Sequence, residues 1–193
     1  MPSGKKKKKF SSVNDYLVDH FGGGELGAER MRWFIDAVAQ IESSGGLQDT
    51  NPDSSARGIF QFLTTQGKGQ NAWETGLKRT RETYRFTGQT PEWLKEAKAH
   101  GDPRLEPYER QEDVFLSNLW QAKGTSPLFR RIITGDEEDA REAAFELYSK
   151  KHHTQGMEHE PTRIRARKAF NLPSVRGFRG GGQIRDAYGR TLI

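Results

Sequence analysis

Between Met31 and Ile41 the chain carries Met31, Phe34, Ile35, Val38 and Ile41, apolar residues recurring at three- and four-residue steps, and Gly45-Gly46 then interrupts the run. That spacing lines one face of an α-helix and does not fit a strand, whose faces alternate at every second residue. Glycines just beyond the last periodic residue are a helix stop. Counting onward in the same steps, Glu42 stands four residues after Val38 and seven after Ile35. It therefore closes the apolar stripe instead of facing water.

Two effects act on a carboxyl in that position. Partial burial disfavours the charged form, and the carbonyl end of the helix, with its partial negative charge, disfavours it again. A glutamate that keeps its proton near neutral pH is what glycosidic cleavage needs, because the leaving oxygen must be protonated as the bond breaks. The surrounding residues extend this reading. Ser43 and Ser44 offer hydroxyls to a carboxyl or a sugar, and Asn51-Pro52 with Asp53 turns the chain back toward the helix end. Gly58 lets backbone approach a substrate closely, and Gln61 presents both a donor and an acceptor.

Glu42-Ser43-Ser44-Gly45, followed after a loop by Ser55-Ala56-Arg57-Gly58-Ile59-Phe60-Gln61-Phe62, resembles the catalytic core of the lytic transglycosylases in the goose-type lysozyme-like superfamily. The family pattern is a Glu-Ser pair ending a helix, then a loop reaching Gly, a hydrophobic residue, any residue and Gln. The resemblance implies a lysozyme-like, mainly α-helical domain. It also implies a single-acid mechanism, in which Glu42 protonates the β-1,4 bond between N-acetylmuramic acid and N-acetylglucosamine. As a carboxylate it then deprotonates the sugar's own 6-hydroxyl, giving a 1,6-anhydro product. No metal or organic cofactor is implied, since the substrate supplies the nucleophile and its acetamido group assists. A hydrolytic muramidase would want a second carboxylate to activate water. Asp49 and Asp53 are the near candidates, and both suit turn-forming or capping roles as well.

The family often places a tyrosine across the groove from its acid, and Tyr148, in Ala143-Ala144-Phe145-Glu146-Leu147-Tyr148, is the candidate. It could bond Glu42 or a sugar amide, or be a half-buried aromatic whose hydroxyl reaches the surface. The usual Ala-Tyr-Asn, small residue, Gly sequence is not present. His152, His153 and His159, beside Glu158 and Glu160, raise the question of a metal, but their spacing matches neither a zinc-protease helix nor a zinc finger. His152 is assigned to the lining of the substrate groove. Trp73, Trp93 and Trp120 suit either sugar stacking or a core.

The remaining elements read as helices. One covers about residues 73 to 85, and Thr90-Pro91 marks a cap followed by proline at the first helical position. Pro107 opens another, with Val114, Phe115, Leu119 and Trp120 on its buried side, and Ser126-Pro127 begins a short helix ending near Gly135. Asp136 begins the next, with Ala140, Ala143, Ala144, Leu147 and Tyr148 along one face. Pro161 starts a last basic helix to about Phe170. A hairpin of two or three short strands around residues 46 to 56 is the most β structure expected, so the architecture is mainly α.

Residues 1–12 form a basic tail, 13–172 the lysozyme-like domain and 173–193 a Gly/Arg-rich tail. Only 33% of the chain is hydrophobic, and its 31 basic and 26 acidic residues leave a formal charge of +5 concentrated in the tails and in Arg163 to Lys168. Such tails attract anionic surfaces, packaged DNA among them. Phe178, Ile184, Tyr188, Leu192 and Ile193 put apolar anchors into the second tail, which suits docking onto other virion tail or core proteins. Lys5 to Lys9 are not followed by the apolar segment of a signal peptide, and no stretch reaches membrane-spanning length. The combined expectation is a virion component acting on the host cell wall, with peptidoglycan glycan strands as its target. Two other readings stand beside it: a structural virion protein with an inactive lysozyme-like fold, and a basic nucleic-acid-binding protein. Cysteine is absent, so neither disulfides nor thiol chemistry enter the argument.

Overall fold

In a computed structural model of the chain, which describes residues 8–46, 56–64, 72–87, 89–97, 101–152 and 160–170 and the short segments 184–185 and 191–192, the periodic stripe lies at the centre of the core. Met31, Phe34, Ile35, Val38 and Ile41 are all buried. They belong to α2 (Gly24–Ser43), which is preceded by α1 (Val13–Phe21). The remaining helices are α3 (Ala72–Thr87), α4 (Glu92–Glu96), α5 (Tyr108–Trp120), α6 (Ser126–Thr134), α7 (Glu137–Leu147) and α8 (Glu160–Phe170). A 3-10 turn, Pro103–Leu105, precedes α5. The protein is mainly helical, as expected, and among the described residues no helix is long and apolar enough to cross a membrane.

Two helix interfaces are closed by glycines. The position a Cβ would take at Gly27 is only 2.9 Å from Ile133 Cγ2, so α2 and α6 approach more closely than any larger residue permits. Gly76 does the same for α3 against Val114 of α5, at 2.5 Å. Leu128, Phe129, Ile132 and Ile133 of α6 and Ala143, Ala144 and Leu147 of α7 complete one side of the core, and Ala166, Ala169 and Phe170 of α8 cover α2 on another.

The α1 helix was not named from the sequence, although Val13, Tyr16, Leu17 and Phe21 recur at helical steps. Its start is fixed from outside: Asp113 of α5, itself buried, accepts from the Val13 N–H at 2.8 Å and from the Tyr84 hydroxyl at 2.6 Å. Burial pushes the Asp113 carboxyl up to about 6, against the lowering effect of those two donors. The Ser12 side chain caps the same helix by accepting from Asp15 N–H. The first helix begins at residue 13, and Phe10, ahead of it, already packs edge-on against Tyr16.

Some local readings are corrected. A hairpin is present, β1 (Ala56–Arg57) pairing antiparallel with β2 (Phe62–Leu63) so that Gly58 to Gln61 form its turn, while residues 47–55 of the expected segment lie outside the described residues. Pro91 is the N-cap of α4 and not its first helical residue. Thr125, one residue before Ser126, is the N-cap of α6, and its hydroxyl bonds back to the Trp120 and Ala122 carbonyls. In the tail from 173, β3 (Ile184–Arg185) and β4 (Thr191–Leu192) pair antiparallel, an element that the Gly/Arg-rich composition did not announce. The tryptophans are packing residues: Trp73 is buried, Trp93 lies under the Arg110 guanidinium, and Trp120 meets Phe21 and Phe129 edge-on.

Candidate active site

Glu42 occupies the last turn of α2, and its side chain is only 5% exposed. The Tyr148 hydroxyl donates to its Oε1 at 2.8 Å, and His152 Nε2 lies 3.6 Å from the same oxygen. Three residues named from the sequence are thus brought together, Tyr148 lying 106 positions after Glu42. Tyr148 is fully buried, and burial, then the neighbouring Glu42 carboxyl, push its hydroxyl far above the ordinary tyrosine range, while Arg165 opposes them. It remains a donor at any working pH.

Local backbone explains why Tyr148 and His152 share a face. Helix α7 does not stop at Leu147 but widens into a π-helical turn, Tyr148–His152. Such turns interrupt helices rarely and often at functional positions. The His152 ring is held by the edge-to-face contact of Phe115 at 5.1 Å and by the Tyr148 ring at 5.8 Å. From α8, Arg165 Nη1 donates to the Ile41 carbonyl at 3.3 Å, placing a cation at the negative end of α2. The sequence reading missed Arg165 as a neighbour of the acid; its signal was present only as one of several charges in a basic helix.

Ser43 takes another role than the one expected. Its hydroxyl is fully buried, donating to the Ala39 carbonyl at 3.0 Å and accepting from Gly46 N–H at 2.8 Å. It ends the helix and fixes the backbone that carries Glu42. Ser44 adopts left-handed backbone at φ 53°.

Gly58 and Gln61 sit in the hairpin turn. Gly58 has φ 76°, and a Cβ there would fall 2.5 Å from Gln111 Oε1 and 3.0 Å from Pro103 Cβ. The close approach that glycine allows here is to the protein's own α5, because Gln111 Oε1 accepts from Ile59 N–H at 2.8 Å while its amide donates to the Glu106 carbonyl. Gln61 donates through Nε2 to the Gly58 carbonyl at 2.9 Å and has φ 48°. Ser44 and Gln61 are the only non-glycine residues with positive φ among the described residues. Backbone strain of this kind gathers at functional sites. The turn reaches the acid through rings: Phe60 stacks on Phe115 at 4.5 Å and 7°, and Phe115 abuts His152.

Asp49, Asp53, His153, Glu158 and His159 lie outside the described residues. A half-buried acid unforeseen from the sequence is Glu112 on α5. Burial, then Asp113 and Asp36, push it up to about 8. Neither it nor Asp113 is among the residues bonded to Glu42 above. Comparison of the chain with protein-family models, with curated proteins and with solved structures gives no match.

Proposed function

We propose that this chain is a peptidoglycan lytic transglycosylase that cleaves the β-1,4 bond between N-acetylmuramic acid and N-acetylglucosamine with a 1,6-anhydro product. The observation that carries the proposal is the environment of Glu42: a carboxyl 5% exposed at the carbonyl end of a helix, with Tyr148 donating to one of its oxygens. The low exposure and the helix end act against a charge there, and the Tyr148 hydroxyl offers that charge a donor. A group that must first give a proton to the glycosidic oxygen and then take one from the 6-hydroxyl is served by this balance. The Tyr148 bond also fixes the carboxyl's orientation, and the strained Ser44 and Gln61 backbone supports a site built for more than packing.

In this reading Glu42 is the acid and base at the glycosidic bond, and the substrate's 6-hydroxyl closes the anhydro ring as the leaving sugar departs. A place in a phage virion, acting on the host wall during genome ejection, is supported by the basic, apolar-anchored sequence from residue 173 and is part of the same proposal. Digestion of purified sacculi followed by mass spectrometry tests the chemistry. Anhydro ends are expected; reducing ends would assign hydrolysis, and no soluble fragment would leave a structural role. Glu42→Gln keeps size and removes the transferable proton, so it should abolish release, a loss of at least a thousandfold, with the protein still folded by circular dichroism.

A further inference from the structure

We infer that His152 is the proton reservoir of Glu42: in the open site the two form an imidazolium–carboxylate pair, and covering the site with a glycan strand passes the proton to the carboxyl. The inference rests on the glycan-cleaving reading and assigns His152 a role through Glu42, in place of the lining role expected from the sequence. Its basis is geometric. His152 Nε2 and the Tyr148 hydroxyl address the same oxygen, Oε1, at 3.6 and 2.8 Å, from two positions of one π-helical turn. The histidine side chain is 17% exposed and the glutamate 5%, so the pair keeps a small remaining contact with water, which a covering strand would displace.

Glu42 brings a carboxylate oxygen within ion-pair distance of the imidazole. On its own turn, Lys150 pairs with Glu146 and Lys151 donates to the Lys123 carbonyl. Helix α5 presents the uncharged Phe115 ring, and from α8 Arg165 is engaged with the Ile41 carbonyl while its charge bears on the Tyr148 hydroxyl. Removing water weakens an ion pair relative to its neutral tautomer, because two charges lose solvation for one attraction. The transfer is balanced: the Nε2–H bond breaks, an O–H bond forms on Glu42, and the imidazole becomes neutral. Glu42 then gives that proton to the glycosidic oxygen, recovers one from the 6-hydroxyl, and returns it to Nε2 when product leaves.

Two measurements on the full chain decide it. In the first, NMR titration of the His152 ring in wild type and Glu42→Gln should show the imidazolium losing its proton at lower pH in the variant, by half a pH unit or more, because its anion is gone. In the second, the normalised pH profile of fragment release by His152→Gln should have its alkaline midpoint at lower pH than wild type, since two groups no longer hold the last proton. A His152→Gln profile merely scaled down at every pH, or an unmoved His152 titration in Glu42→Gln, would overturn the inference. If wild type releases nothing from sacculi, the glycan-cleaving reading falls, and the NMR comparison still decides whether the pair exists.

Discussion

At the scale of single residues, the candidate site was legible to the extent that its chemistry is written in residue type. A glutamate ending an apolar stripe and a tyrosine on the inner face of a later helix could be named in advance, and they do meet, at 2.8 Å. Ser43 could not be assigned, because a serine at a helix end has the same composition whether its hydroxyl faces a ligand or the preceding turn; only the Ala39 and Gly46 bonds decide. Gly58 posed the same difficulty, its space being filled by Gln111 from 53 positions later. For Tyr148→Phe, loss of one neutral donor bond should cost about 1 kcal/mol of stability. The effect on glycan release should be larger, about ten- to a hundredfold in kcat with KM little changed, because the hydroxyl positions the acid. A tyrosine that served instead as a sugar contact would move KM, so steady-state kinetics on soluble glycan strands separates the two roles.

Among the elements, helices opened by a cap or proline signal were readable, the short α6 included, whereas α1, held from outside, was not. Helix α1 depends on Asp113, whose burial could not be foreseen beside polar neighbours. The cause is that α5 buries Asp113, Val114, Phe115, Leu116 and Ser117 in succession, more than one face, so an acid among them has no route to water. The same crowding has a consequence for pH. Glu112 is raised to about 8 and Asp113 to about 6, so the folded state binds more protons than the unfolded chain between about pH 4 and 8. Stability is then fullest below the unfolded carboxyl values and falls as pH rises through that window. Glu112→Gln removes a charge that the fold disfavours. It should leave the thermal midpoint unchanged near pH 4 and raise it near pH 8, by the equivalent of about 1–2 kcal/mol, discounted because Glu112 is only partly buried. Calorimetry of both proteins across that range would show converging curves at low pH; parallel curves would place the pH dependence elsewhere.

For the whole molecule, what the sequence withheld is which surfaces meet. The hairpin turn is held by Gln111 accepting from Ile59 N–H, a contact between segments 52 residues apart that local turn composition does not announce. The placement of Glu42 depends likewise on α2 being seated against α6, where Gly27 admits Ile133. Within an isolated helix, Gly27→Ala would gain about 1 kcal/mol from propensity alone. In the fold the added methyl meets Ile133 Cγ2 at 2.9 Å and the Ile133 carbonyl at 3.2 Å, and overpacking of that kind costs about 1–3 kcal/mol. The clash should win, making Gly27→Ala destabilising by about 1 kcal/mol in spite of its better helix propensity. Ile133→Ala alone should cost more, about 2–4 kcal/mol, by opening a cavity beside α2. The two effects are coupled because the removed side chain is the one the methyl strikes, so the double variant should be more stable than the sum of the single losses by about 1 kcal/mol. Denaturant unfolding of the four proteins measures that coupling. Simple additivity would mean that α2 and α6 part freely, and that Glu42 is positioned by α8 and the π-helical turn without help from the α2–α6 contact.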